Sequence, residues 1–219
     1  MNIDHLHFPR MRVTLDERLL HIASERDLAL LSSAAVGGEL ESTRHIINMH
    51  VHKGYRCEQP EHDLNRLALV LNIHEPFVGL MTAAKLERAR CAVETSGALS
   101  VAALITLGLT NPMAAGVSAP TLLTVGTINL ILLIDGCLTR AALVNAVITT
   151  TEAKTLGLIE GGTRTREGSP ATGTSTDAIV IACTGRGEPL CYAGTATEVG
   201  WLIGRAVRGV VQETMALIR

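Results

Sequence analysis

The stretch Ala178-Ile179-Val180-Ile181-Ala182-Cys183 limits what this chain can fold into more than any other. A short, uninterrupted apolar run reads as a strand, and such a strand must be covered on both faces. Immediately before it stands Ala171-Thr172-Gly173-Thr174-Ser175-Thr176-Asp177, where hydroxyls and one carboxylate crowd around a single glycine. Ordinary turns do not need so many side-chain hydroxyls. The end of a buried strand can hold polar groups on a rigid backbone, so this junction is the first candidate site.

With 219 residues the chain has enough bulk for one domain, spanning 1–219, with a substantial core. Its 19 Lys and Arg nearly balance its 21 Asp and Glu, and no basic block appears. Nucleic acid and anionic membranes both call for concentrated positive charge, so neither is expected as the main partner. The most apolar stretch, 122–134, is broken by Thr124, Gly126, Thr127 and Asn129, and is too short to cross a bilayer. The N-terminus has no apolar signal segment, and the five cysteines form no CxxC pair. A reducing, cytoplasmic setting is therefore expected. Phe8, Phe77, Tyr55, Tyr192 and Trp201 are the only aromatic residues of these types, so core and pocket walls must be mainly aliphatic.

Segments 19–24 and 28–33 read as strands, and the polar Glu25-Arg26-Asp27 between them predicts a hairpin turn. Residues 45–52 alternate, with Ile47, Met49 and Val51 on one face and Asn48, His50 and His52 on the other. Pro60 and Asp63 open a helix whose Leu64, Leu67, Ala68 and Leu71 follow helical spacing. Strands are predicted over 77–83, 90–95, 99–109 and 125–134, and Thr139 caps a helix running to about residue 158. A last helix follows Tyr192-Ala193-Gly194, with Ile203, Val207, Val210, Val211 and Met215 on one stripe. This order predicts a single layered domain of the α/β or α+β class, with mixed sheet covered by helices. It lacks the regular alternation of a Rossmann fold.

Among single residues, Asp177 is the leading candidate for proton transfer, with Thr172, Thr174, Ser175 and Thr176 around it. A turn cap competes evenly with that role. Gly126-Thr127-Ile128-Asn129 puts a second polar interruption in a buried strand, and a buried Asn must find a partner or a ligand. Glu152 could be a second carboxylate, although an exposed helix position beside Lys154 explains it more simply. Thr149, Thr150 and Thr151 lower helix propensity, so something beyond local preference must keep them. His50 and His52 have a spacing that can supply two metal ligands, but nothing nearby completes a set, and solvent exposure is expected for both. Gly37-Gly38 has neither dinucleotide nor phosphate-loop spacing.

Taken together, these pieces resemble the adenosylcobinamide amidohydrolases of corrinoid salvage. The resemblance rests on Val78-Gly79-Leu80-Met81-Thr82-Ala83-Ala84, Gly126-Thr127-Ile128-Asn129, Thr151-Glu152-Ala153-Lys154 and Thr172-Gly173-Thr174-Ser175-Thr176-Asp177-Ala178. Looser echoes are Ser32-Ser33-Ala34 with Gly37-Gly38, Asn48 with Val51, Gly108-Leu109-Thr110-Asn111, and Tyr192-Ala193-Gly194. They recur in the family's order from about residue 28 onward. The chain departs at Glu39, where the family tends toward a third glycine, and at Thr150-Thr151, where it tends toward alanine-threonine.

The resemblance implies hydrolysis of the amide joining the corrin side chain to aminopropanol, giving adenosylcobyric acid and 1-amino-2-propanol for cobalamin biosynthesis. The corrinoid would be substrate, with no cofactor implied; the chain has no Asp-x-His-x-x-Gly corrinoid-binding pattern, and a metal requirement stays open. On this reading Asp177 activates water or positions a threonine, Thr172 and Thr174 serve the reaction, and Glu152 donates a proton. Thr127 and Asn129 hold the amide, with Ser175 and Thr176 beside them. Gly37, Gly38, Asn48, Thr82 and Asn111 form the rim for the corrin. Alternatives are an amidohydrolase of other specificity, even a self-processing one with a threonine nucleophile, and a non-catalytic corrinoid carrier. A homo-oligomer is compatible with all of these.

Overall fold

The computed structural model describes residues 2–3, 6–55, 59–120 and 126–218. In chain order the elements are β1 (Met11–Leu15), β2 (Leu19–Ser32), β3 (Ser42–His50), α1 (Pro60–Val70), β4 (Val78–Thr82), β5 (Arg90–Ser96), β6 (Leu99–Leu107) and β7 (Pro112–Met113). Then follow β8 (Ile128–Asp135), β9 (Cys137–Leu138), α2 (Arg140–Glu160), β10 (Gly173–Thr174), β11 (Ala178–Cys183), β12 (Pro189–Leu190) and α3 (Glu198–Ile218). The class is α+β. One eight-stranded mixed sheet runs β4-β3-β2-β11-β8-β6-β5, with β1 added against β2. Within this sheet two pairs are parallel, β3 with β4 and β11 with β8.

The sheet folds over on itself. One core cluster takes Ile22 and Leu30 from β2, Ile46 from β3 and Leu80 from β4. The same cluster holds Leu104 from β6, Ile131 and Leu133 from β8, and Val180 from β11. Residues of opposite parity on the same strands face outward. Ile105, Leu130, Leu132 and Ile181 meet α2 and α3, while Ile47 meets Leu64 and Leu67 of α1. Strands covered on both faces therefore carry apolar residues at nearly every position, as β8 does.

The expected hairpin at 25–27 is a bulge instead. β2 is one strand of 14 residues, and its pairing with β3 shifts register between Ala23 and Leu28. Glu25, Arg26 and Asp27 are exposed there while the chain continues in its direction. Five steps along β2 here oppose two along β3, and such an insertion bends a strand without reversing it, which lets β2 serve both halves of the folded sheet.

The other predicted elements form with small boundary changes. The strand expected from Val125 starts at Ile128 among the described residues, and Val125 lies outside them. The Thr139 hydroxyl caps α2 by accepting from Ala142 N at 3.2 Å. On α3 the stripe Ile203, Val207, Val210, Val211 and Met215 is buried, while Arg205 and Arg208 pair outside with Glu94 and Glu160. Gly157 permits the close crossing of α2 and α3, since a Cβ there would lie 2.8 Å from Val211 Cγ1.

Candidate active site

Parallel pairing sets Ala178 of β11 beside Asn129 of β8. The residue before β11, Asp177, thus arrives at the start of β8, and its Oδ1 accepts from Ile128 N at 3.2 Å. The same oxygen accepts from Thr174 N at 3.1 Å and from Thr174 Oγ1 at 2.5 Å. The turn cap expected as a competing explanation is therefore real, but it is only part of the arrangement. The other oxygen, Oδ2, accepts from Lys154 Nζ of α2 in a close ion pair. Both partners are shielded from solvent, with side chains 7% and 15% exposed for Lys154 and Asp177.

Gly173 makes room for this pair. A Cβ at that position would lie 2.3 Å from Asp177 Oδ2 and 2.9 Å from Lys154 Nζ. Around it, Thr172 Oγ1 accepts from Ala115 N at 2.9 Å, and Thr155 Oγ1 donates to Thr172 O at 3.1 Å. Ser175 Oγ accepts from Asn111 Nδ2 at 2.6 Å, so its own proton is directed elsewhere. Thr176 Oγ1 donates to Gly126 O at 2.9 Å. Gly126 has φ +149, and a Cβ there would strike Asn111 Oδ1 at 2.2 Å. The position is closed to side chains on both counts.

Asn129 lies at the same sheet end as Asp177 but on the other face. Its parity is that of Ile131 and Leu133, pointing between the sheet halves, whereas Asp177 points toward α2. Its Nδ2 donates to Asn48 Oδ1 at 2.9 Å and to Met81 O at 2.8 Å. Its Oδ1 lies 3.1 Å from Thr127 Oγ1, which is also 2.6 Å from Thr176 O. Asn48 Nδ2 in turn donates to Thr106 Oγ1 at 3.0 Å. Asn129 therefore spends its donors inside the protein and ties β8 to β3 and β4. The expectation that it presents donors to a ligand gives way to a scaffolding role, because a buried amide is satisfied first by the nearest fixed groups.

Other expected members separate from the cluster. Glu152 is exposed and borders a groove with Trp201 and Arg205, while Lys154, two residues on, turns inward. Helical period explains the difference: Lys154 shares the buried stripe of Ala146, Thr150 and Leu158. That spacing was readable in advance and would have found Lys154. Gly37 lies against Phe77 just before β4, at the opposite end of that strand from Thr82, with Gly38 beside it. Thr82 is buried and its Oγ1 accepts from Ala84 N at 3.1 Å. Asn48 does not face water with the histidines; it is 1% exposed, whereas His50 is half-buried and His52 exposed beyond the strand. Among the threonines of α2, Thr149 donates to Ala193 O at 2.8 Å and Thr151 to Val147 O at 2.8 Å. Thr150 Oγ1 is buried with no hydrogen-bond partner among the described residues.

Next to the hydroxyl loop opens a cleft of about 560 Å³, within the usual range for small-molecule sites. Leu107, Leu109, Ala83, Ala84 and Ile218 line it, Lys53, Lys85 and Arg88 bring positive charge, and Gly126 joins it to Thr176. Among the described residues no group of three or more His, Cys, Asp or Glu side chains could hold a metal ion. No helix there is long and apolar enough to cross a membrane.

A buried ammonium–carboxylate pair with a threonine on the carboxylate, beside an aliphatic cleft, is the kind of site that acyl-transfer chemistry uses. Comparison with known proteins narrows that class. The profile of the adenosylcobinamide amidohydrolase family matches residues 5–218, and the chain belongs to this family. It is 31% identical over 190 residues to the adenosylcobinamide amidohydrolase of Methanosarcina mazei, covering 83% of this chain and 86% of that one. It is 36% identical over 147 residues to the protein of the same name from Halobacterium salinarum, covering 62% and 57%. In fold it is similar to a crystal structure of a protein from Pyrococcus horikoshii, with TM-score 0.51 and 13% identity, over 94% of this chain and 78% of that one.

Proposed function

We propose that the protein hydrolyses the amide between the corrin side chain and aminopropanol in adenosylcobinamide, releasing adenosylcobyric acid and 1-amino-2-propanol. Family membership over 5–218 supports the reaction class and the substrate. The observation that carries the assignment of the site is the Thr174–Asp177–Lys154 chain at the mouth of β11, beside the aliphatic cleft.

In this reading Asp177 accepts the proton that the attacking oxygen loses, and Lys154 holds the carboxylate in place. The corrin lies against the aliphatic wall of the cleft, and its peripheral carboxamides meet Lys53, Lys85 and Arg88 at the rim. Thr176 meets the cleft through its bond to Gly126 O, and Asn111 holds Ser175 beside it. The role first given to Glu152, proton donation to the departing amine, passes to Asp177. Such sites gain most from donors fixed before the substrate arrives, and the loop 172–177 is fixed by bonds to α2, β7 and β8.

The test is direct. Purified protein with adenosylcobinamide should release aminopropanol and adenosylcobyric acid, both followed by mass. Asp177→Asn should abolish release in a protein that still folds, with a lowered thermal midpoint because the Lys154 ammonium loses its buried partner. Near-normal turnover by that variant would remove Asp177 from the chemistry. Tight corrinoid binding without release by the wild-type protein would favour the carrier alternative.

A further inference from the structure

A carboxylate offers about four lone-pair positions. Among the described residues Asp177 receives four donors: Ile128 N, Thr174 N, Thr174 Oγ1 and Lys154 Nζ. Three of these crowd Oδ1, while Oδ2 takes Lys154 Nζ and keeps one lone-pair position open to solvent or substrate. Of the side chains bonded to this carboxylate, Thr174 alone is a hydroxyl: its proton already lies along the bond to Oδ1 and crosses it without any group moving, whereas a water would first have to be brought to Oδ2. Thr174 ends β10 just before the Ser175–Thr176 turn and is half-buried, whereas Asn129 is 2% exposed.

We infer that Thr174 Oγ1 is the attacking atom, and that the reaction passes through an ester of the corrinoid acyl group on Thr174. This rests on the amide-hydrolysis reading and adds a second activity, transfer of the acyl group to an added small amine. In the first half, Thr174 Oγ1 bonds to the amide carbon and its proton passes to Asp177. The carbon–nitrogen bond then breaks, and the proton moves from Asp177 to the departing nitrogen, which leaves as a neutral amine. In the second half, water attacks the ester carbon and gives a proton to Asp177. That proton returns to Thr174 Oγ1 as the ester bond breaks, leaving the carboxylic acid. A nucleophilic amine in place of water gives an amide by the same balance, and hydroxylamine gives a hydroxamate. Lys154 is a positioning residue, since it touches Asp177 and not the reacting atoms.

The experiment adds hydroxylamine to wild-type protein turning over adenosylcobinamide. The hydroxamate-to-acid ratio should rise linearly with hydroxylamine, and aminopropanol release should not slow. Acid quenching during turnover should show protein heavier by the corrinoid acyl mass. Thr174→Val should lose the adduct and at least about a thousandfold in kcat. Thr174→Ser should keep both adduct and hydroxamate, which separates a lost nucleophile from a damaged fold. Acid as sole product at every hydroxylamine concentration, with no adduct while aminopropanol is released, would overturn the inference and leave amide hydrolysis standing. Thr174→Val within tenfold of wild type would do the same. No aminopropanol release from the wild-type protein would overturn both readings.

Discussion

Replacing Lys154 by methionine removes the ammonium while keeping an unbranched stem of similar length in the buried stripe of α2. Lys154 and Asp177 are 7% and 15% exposed, so the carboxylate left behind is poorly hydrated. Removing one partner of a buried pair costs about 3–5 kcal/mol. Asp177 keeps three other donors, Thr174 N, Thr174 Oγ1 and Ile128 N, which places the expected loss at the low end, about 3 kcal/mol. At about 2–4 °C per kcal/mol for a chain of this length, the unfolding midpoint should fall by about 6–12 °C. Asp177→Asn made in the same background removes the stranded charge and still accepts hydrogen bonds. The double variant should therefore be more stable than the sum of the single losses by at least about 1 kcal/mol. Thermal and urea unfolding of wild type, both single variants and the double variant measure this cycle. Additivity to within about 0.5 kcal/mol would show that the two groups are not coupled, and the reasoning about the site would fail with it.

Further outcomes follow from the same contacts. Gly173→Ala should lower kcat/KM by about a hundredfold, because its methyl group would displace the Asp177 carboxylate or Lys154; unchanged kinetics would show that the pair need not sit where it does. Asn129→Ala strands Asn48 Oδ1 and Met81 O, at about 1–3 kcal/mol for each buried group, and should shift the urea midpoint with no change in m. Burial first, then His45 and Arg12, hold His21 down at about 4 against an ordinary 6.5. The unfolded chain then binds the extra proton between those values. Stability from this site is complete above pH 6.5 and falls as pH drops toward 4. His21→Gln should flatten that part of the midpoint–pH curve, and an unchanged slope would assign it to other groups.

Much of this architecture was legible where one physical rule acts alone. Helical spacing marked the α3 stripe, and the Thr139 cap marked the start of α2. The apolar run 178–183 announced a strand covered on both faces. Where two rules compete, sequence misled. The triplet Glu25-Arg26-Asp27 carries the polarity of a turn, yet bulge and turn place the same residues in water, and only the pairing of β2 on both sides tells them apart. Strand alternation put Asn48 with His50 and His52, but alternation says which residues share a face and not what covers it. Glu152 drew attention because carboxylates do chemistry, while Lys154 lay on the buried stripe two residues away. The site depends on side chains from α2, β8 and the 172–177 loop meeting in space, and no local pattern records that meeting.

The bent strand β2 also governs how the chain must assemble. Its second half pairs with β11, whose residues lie about 150 positions later in the chain, so the central ladder closes only after a long loop has been ordered. A nascent chain ending before residue 178 carries β2 and β8 with unsatisfied edges and the most apolar faces of the molecule uncovered. Folding should therefore be slow and late, completed by the strand that also carries Asp177 into place, and C-terminally truncated chains should aggregate.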